Sequence, residues 1–265
     1  MTLVPSVNTR LHTVEGTYNL RDTGGYATPG GQTRWGKLFR SDALHALTDD
    51  SRNRLNELGI EHIVDLRDDS ELLASPSKLD GLGVTVVHSP IYPQTPSFSS
   101  AGLVEKVTLA SLYRLMISEY GNNLARAVGV IARSGAEPVL VHCTAGKDRT
   151  GLVVALALLA VGVDKDDVIA DYAATEQNLA GEWAATMLAR IAAGGVATTP
   201  VIEHLISASP PELITESIEQ IEKEFGSAAG YLAAHGFTPS DLDALRDALV
   251  ETTTPDSAPT EKSAS

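Results

Sequence analysis

Apolar residues follow two different periods along this chain, and the change of period predicts its elements. Three short β-branched runs, 61–66, 84–88 and 138–142, have the length and composition of strands. Helical spacing alternates with them. At 48–58 a Thr cap precedes an acidic first turn, and Gly59 stands where a glycine stop belongs. Segments 103–118 and 122–133 carry apolar residues three and four apart, and the second leads directly into the 138–142 strand. Such alternation indicates an α/β sheet with helices on its faces.

The flanks differ from this middle. Residues 18–41 are rich in Gly and Thr, and Thr28-Pro29-Gly30-Gly31 marks the turn of an antiparallel hairpin leading to Phe39-Arg40-Ser41. From about 164 to 250 the pattern is helix without strands. Leu179, Trp183, Met187, Leu188 and Ile191 form one apolar stripe, and Ile214, Ile218, Ile221 and Phe225 another, separated by a Gly-, Ala- and Thr-rich break at 192–200. Thr238 and Pro239 open a last helix with Leu242, Leu245 and Leu249 on one face. A single domain over 1–250 is expected, with 251–265 a disordered tail of Thr, Ser, Pro and Ala. The apolar run 151–163 is 13 residues long, too short to span a bilayer, and predicts a buried helix.

Charge narrows the partners. Twenty Lys and Arg stand against 34 Asp and Glu, a net charge of -14, which disfavours nucleic acid and anionic membrane surfaces. An anionic substrate must therefore be attracted locally. The one cysteine, Cys143, forms no internal disulfide, and residues 1–10 lack the charged start and apolar core of a signal peptide. The cytoplasm is the default expectation, with export by routes that use no signal peptide left open.

Local attraction has an obvious source. Cys143 lies in the run His142-Cys143-Thr144-Ala145-Gly146-Lys147-Asp148-Arg149-Thr150-Gly151, between an apolar strand and the long apolar helix. A loop so placed surrounds a helix N-terminus, where backbone N–H groups lack helical partners and point at an anion. The N–H groups of Thr144, Ala145, Gly146 and Lys147 would line that bowl, with Gly146 allowing the tight turn. Arg149 can grip two phosphate oxygens with its planar fork. The same field favours the Cys143 thiolate, which would attack phosphorus in line to give a phosphocysteine intermediate, and the Thr150 hydroxyl is placed to hydrogen-bond the departing sulfur. A lone cysteine is often a small buried hydrophobe, but the Gly, Lys, Arg and Gly spacings argue against that here. A nucleotide-binding P-loop fails because Asp148 follows Lys147 and Val141 occupies the required upstream glycine. His142 is expected to hold the loop by hydrogen bonding rather than to act as a base.

The Cys143-x5-Arg149-Thr150 pattern is the cysteine phosphatase signature. Together with Asn19-Leu20-Arg21-Asp22-x-Gly24-Gly25, Phe39-Arg40-Ser41-Asp42 and Val64-Asp65-Leu66-Arg67, it resembles the bacterial cysteine-dependent tyrosine/serine protein phosphatases over about 18–178. The resemblance implies a central, mostly parallel sheet flanked by helices and catalysis with no metal or other cofactor. It also implies a specificity that reaches phosphotyrosine, phosphoserine/threonine and phosphoinositides. A mycobacterial member covers its site with a helical pair, so a lid is expected at roughly 176–226.

In most members of the wider family an aspartate on a mobile loop before the cysteine protonates the leaving group. This chain has no Asp between Asp80 and Cys143, which makes Asp148, inside the loop itself, the first candidate for general acid. Asp65 is the second and Asp22 the third, while the plainer reading of Asp148 is an acid that complements the helix dipole. Lys147 is expected at the rim, ready for a second phosphate or salt-bridged to an acid such as Asp148. Arg21, Asp22, Asp65 and Arg67 are read as charge pairs supporting the loop. Phosphorylated proteins or peptides rank ahead of phosphoinositides as substrates because no basic membrane-facing stretch is present and the net charge is -14, an objection that a soluble inositol phosphate escapes. The rivals are a non-catalytic phosphate-binding module and a rhodanese-type sulfur-transfer domain.

Overall fold

A computed structural model describes residues 9–92 and 108–252. The N-terminal strands are β1 (Arg21–Asp22), β2 (Ala27–Thr28), β3 (Gly31–Thr33) and β4 (Leu38–Ser41). Next come α1 (Asp49–Glu57), β5 (His62–Asp65), α2 (Asp69–Ala74), β6 (Thr85–His88), α3 (Leu109–Glu119), α4 (Gly121–Arg133), β7 (Val139–His142) and α5 (Asp148–Ala160). The remainder is helical until the final short strand: α6 (Lys165–Leu179), α7 (Glu182–Ala193), α8 (Pro200–Ser207), α9 (Pro211–Phe225), α10 (Ala228–Ala234), α11 (Pro239–Leu249) and β8 (Val250–Glu251).

The central sheet has five strands in the order β1-β4-β7-β5-β6, parallel except for the antiparallel edge pair β1 and β4. Side chains alternate across it. Leu38, Val64, Val139 and Val141 enter a large core with the helices of one face, whereas Phe39, Ile63 and Leu140 enter a smaller core with Leu55 of α1 on the other. Helix α5 is apolar all round and buried along nearly its whole length, as its sequence predicts. Among the described residues no helix is long and apolar enough to cross a membrane.

Register converges on one point. Ser41, Asp65 and His142 are aligned at the carboxyl ends of β4, β5 and β7, so Cys143 leaves the sheet between Asp42 and Leu66. Crevices at the carboxyl ends of parallel strands are where open α/β sheets bind ligands.

Two expectations, on the 179–191 stripe and on where the helical region ends, need correction. The 179–191 stripe is not one helix: Gly181, at φ 84°, breaks it into α6 and α7, because only glycine takes that conformation freely. The 214–225 stripe belongs to α9, whose Ile214, Ile218 and Ile221 are buried in the main core. Helix α9 packs against α3, α6 and α10. The helical region also ends one residue early, since β8 joins β3 and the β2–β3 hairpin in a small second sheet. The start of the 103–118 prediction and nearly all of the tail lie outside the described residues.

Candidate active site

The loop between β7 and α5 is held from outside by its carbonyls. Thr144 O accepts from Ala43 N at 3.1 Å, and Ala145 O and Gly146 O both accept from Asn19 Nδ2 at 3.2 Å. Gly146 O also accepts from Arg40 Nη2 at 2.8 Å. With the carbonyls turned outward, the N–H groups of the same peptides turn to the inside of the bowl. Gly146 adopts φ 65° and presses against the Ser41 carbonyl, a position with no room for a Cβ. Helix α5 has no side-chain N-cap, so its first N–H groups remain available to an anion.

Cys143 sits buried at the base of this bowl. Arg149 is buried beside it, its fork engaged by Glu71: Nη1 donates to Oε2 at 2.5 Å and Nη2 to Oε1 at 2.8 Å. Burial opposes the Arg149 charge, but Cys143 and Glu71 more than offset this and push its pKa up. Glu71 also accepts from the Thr144 hydroxyl and closes the capping box of α2 with Asp68. Its own carboxyl is held below the usual range, burial opposing and Arg149 prevailing. The Arg149 guanidinium stands 5.7 Å from the centroid of the Tyr92 ring.

Asp148 opens α5, and its carboxyl is 29% exposed. Oδ1 accepts from the buried Tyr113 hydroxyl at 3.0 Å. Asp148 and Arg149 line a cavity of about 230 Å³ whose other walls include Tyr92, Leu109 and Leu112 with Ile191, Ile202 and Leu205 of the outer helices. The Asp148 and Arg149 side chains thus face the same space.

Other predicted residues fall elsewhere. Lys147 does not stand at the rim: its ammonium is buried, donating to Leu205 O at 2.7 Å, with Ile206 O at 3.4 Å and Asp148 Oδ1 at 3.7 Å. Carbonyls at the last turn of α8 lack helical partners and attract a cation. Arg21 pairs with Asp171 of α6 at 3.0 Å, not with Asp22, and Arg40 binds the second oxygen of the same carboxylate. Burial opposes the Asp171 charge, yet the two guanidiniums hold its pKa down at about 2, while burial and the neighbouring Arg40 push Arg21 down to about 10. Asp22 accepts from Gly24 N at 2.8 Å and Gly36 N at 2.6 Å and so ties a turn together.

Asp65 and Arg67 do pair, Nη2 to Oδ2 at 2.6 Å, and the same carboxylate faces His142 Nε2 at 3.4 Å. Against its burial, His142 and Arg67 hold Asp65 below the carboxylate range, a poor state for a proton donor. His142 Nδ1 meets Cys143 O at 3.2 Å, and burial lowers the pKa of the ring. The Thr150 hydroxyl is buried without a hydrogen-bond partner among the described residues, so the expected bond to Cys143 is not formed here. Among the described residues no three His, Cys, Asp or Glu side chains are grouped to hold a metal ion.

Glu71, Tyr92, Tyr113 and Asp171 escaped the sequence reading. Only Glu71 left a trace, the Asp68-x-x-Glu71 capping-box spacing, which signals a helix start and says nothing of Arg149.

A family model described as the tyrosine phosphatase family matches residues 12–251. The chain is 29% identical over 282 residues to the triple specificity protein phosphatase PtpB of Mycobacterium tuberculosis, covering 89% of this chain and 97% of that one. It is 34% identical over 227 residues to a putative tyrosine-protein phosphatase of Cupriavidus necator, covering 81% and 80%. Among solved structures, TpbA of P. aeruginosa, a Cys-to-Ser variant with phosphotyrosine, is matched at 18% identity and TM-score 0.33 over 64% of this chain and 80% of that one. With a family model that spans both flanks of the sheet as well as the Cys143 loop, the chain belongs to the tyrosine phosphatase family.

Proposed function

We propose that the protein hydrolyses phosphate monoesters on proteins, and that Cys143 carries the phosphoryl group between two displacement steps. The observation that carries this reading is the outward anchoring of the loop carbonyls by Asn19, Arg40 and Ala43, which aims the N–H groups at the space above the Cys143 thiol. In the first step the thiolate forms a bond to phosphorus while the ester P–O bond breaks, and Asp148 gives its proton to the departing oxygen. The loop N–H groups and Arg149 bind the equatorial oxygens. In the second step water attacks phosphorus, its proton passes to the Asp148 carboxylate, and the S–P bond breaks to restore the thiolate. The Thr150 hydroxyl, buried without a partner among the described residues, is the donor to that departing sulfur.

The cavity favours one phosphate on an apolar body. Its walls are Tyr92, leucines and isoleucines, and Lys147 is committed to the carbonyls of α8 rather than offered to a second phosphate. Phosphotyrosine proteins fit best, phosphoserine and phosphothreonine next, with phosphoinositides the alternative. Helices α7 and α8, residues 182–207, serve as the lid, closing on the site through Ile191, Ile202 and Leu205. This is a shorter lid than 176–226, with α9 left in the core.

Phosphate release from phosphotyrosine and phosphothreonine peptides and from phosphoinositide vesicles tests the reading. Rapid release from the phosphotyrosine peptide, abolished in Cys143→Ser, is expected. Binding without release would identify a phosphate-binding module instead.

A further inference from the structure

We propose that Tyr113 is a positioning residue for proton transfer: its buried phenol, oriented by Tyr172, holds one oxygen of Asp148 and leaves the other to carry the proton toward the leaving group. This rests on Asp148 being the general acid, as proposed above.

Two phenols lie under the first turn of α5. Tyr113 OH donates to Asp148 Oδ1 at 3.0 Å and meets Tyr172 OH at 2.8 Å, the rings edge-to-face with centroids 6.2 Å apart. An ionised carboxylate only accepts hydrogen bonds, so the Tyr113 proton goes to Asp148 and the Tyr172 proton goes to the Tyr113 oxygen. The order of donors is therefore set by the carboxylate. Burial, with Asp148 nearby, raises the pKa of both phenols, so each keeps its proton throughout the range in which a thiolate works. Close packing makes the arrangement possible: a Cβ on Gly151 would meet the Tyr172 ring at 2.9 Å, so α6 reaches this position only because α5 carries glycine there.

Lys147 Nζ also approaches Oδ1, at 3.7 Å. Both donors nearest Asp148 thus converge on one oxygen, and a proton on the carboxyl belongs on Oδ2. The groups facing this carboxyl are Tyr113 from α3, Tyr172 from α6, Tyr92 from the segment after β6, and Lys147 and Arg149 on its own turn, with Cys143 and Glu71 beyond Arg149. Among them Tyr113 is the one that gives Asp148 a short hydrogen bond.

The test compares kcat/KM against pH for phenyl phosphate, a poor leaving group, and 4-nitrophenyl phosphate, an activated one, in Asp148→Asn, Tyr113→Phe, Tyr172→Phe and the Asp148→Asn/Tyr113→Phe double variant. Asp148→Asn is expected to lose far more on phenyl phosphate than on the activated ester. Tyr113→Phe is expected to lose about tenfold on phenyl phosphate and less than about twofold on the activated ester. Its descending pH limb should move upward, because the carboxylate has lost a donor. Tyr172→Phe should show a weaker form of both changes, and it carries the test if Tyr113→Phe does not fold. In the double variant the Tyr113 change should add nothing to the loss from Asp148→Asn. Equal losses on both esters with an unmoved limb, or a further loss in the double variant, would overturn the positioning role while leaving Asp148 as the acid. An Asp148→Asn variant with equal losses on both esters would remove the acid assignment and the role of Tyr113 with it.

Discussion

Arg149 and Glu71 meet in a two-pronged pair, Nη1 to Oε2 at 2.5 Å and Nη2 to Oε1 at 2.8 Å, that uses the end of the guanidinium and leaves its Nε edge out of the pair. Because the same carboxylate takes the Thr144 hydroxyl, it fixes both the fork and the loop. Glu71→Gln should lower kcat/KM for a phosphotyrosine peptide about tenfold through misplaced phosphate binding, and cost about 2 kcal/mol of stability, since a partly buried cation loses its countercharge. Steady-state kinetics and urea unfolding check the two parts; an unchanged kcat/KM would show that Arg149 needs no strut.

Asp171 and Asp42 should respond to pH in opposite directions. Arg21 and Arg40 hold Asp171 at about 2, below its unfolded value of about 4, so the folded carboxylate stabilises the protein above pH 4 and this is lost as pH falls toward 2. Burial lifts Asp42 to about 6, so its contribution declines as pH rises from about 4 through 6. Urea unfolding should find Asp171→Asn destabilised by about 3 kcal/mol at pH 7, with the deficit shrinking in acid. Asp42→Asn, which keeps an oxygen for Tyr18 N and Asn19 N, should gain on wild type from pH 5 to pH 8.

Gly146→Ala should be among the most damaging changes of a single methyl group. A Cβ there would run into the Ser41 carbonyl, and the φ of 65° disfavours any side chain. Displacing the peptide by an ångström shifts the N–H groups away from phosphate, so kcat/KM should fall on the order of a hundredfold. Retained kinetics in a folded variant would show that the loop tolerates another path.

Lys147 ties α8 to the loop through Leu205 O and Ile206 O. Lys147→Met removes the ammonium but keeps much of the buried stem, so hydrogen exchange should quicken over residues 182–207 and stay unchanged over the core helix 121–133. Equal exchange in both segments would remove Lys147 as the tether of α8.

Elements legible in the sequence were those whose cause is local. The strands at 61–66, 84–88 and 138–142 follow from β-branched runs, and the α1 boundaries follow from Thr48 and Gly59, because a cap or a period acts within one turn. The break at Gly181 is hidden in the sequence because the apolar period continues through it, although glycine alone permits the turn.

The Cys143 loop is local chemistry: Cys143, Gly146, Asp148 and Arg149 stand within seven residues, so their spacing is set by the covalent chain. Which groups support them depends on the folded arrangement of distant segments. Glu71 precedes Arg149 by 78 residues, Asn19 precedes Gly146 by 127, Tyr113 precedes Asp148 by 35, and Asp171 follows Arg40 by 131. A charged or polar side chain finds its partner by packing, and no local pattern marks Glu71 as the partner of Arg149 or Asp171 as the partner of Arg21 and Arg40.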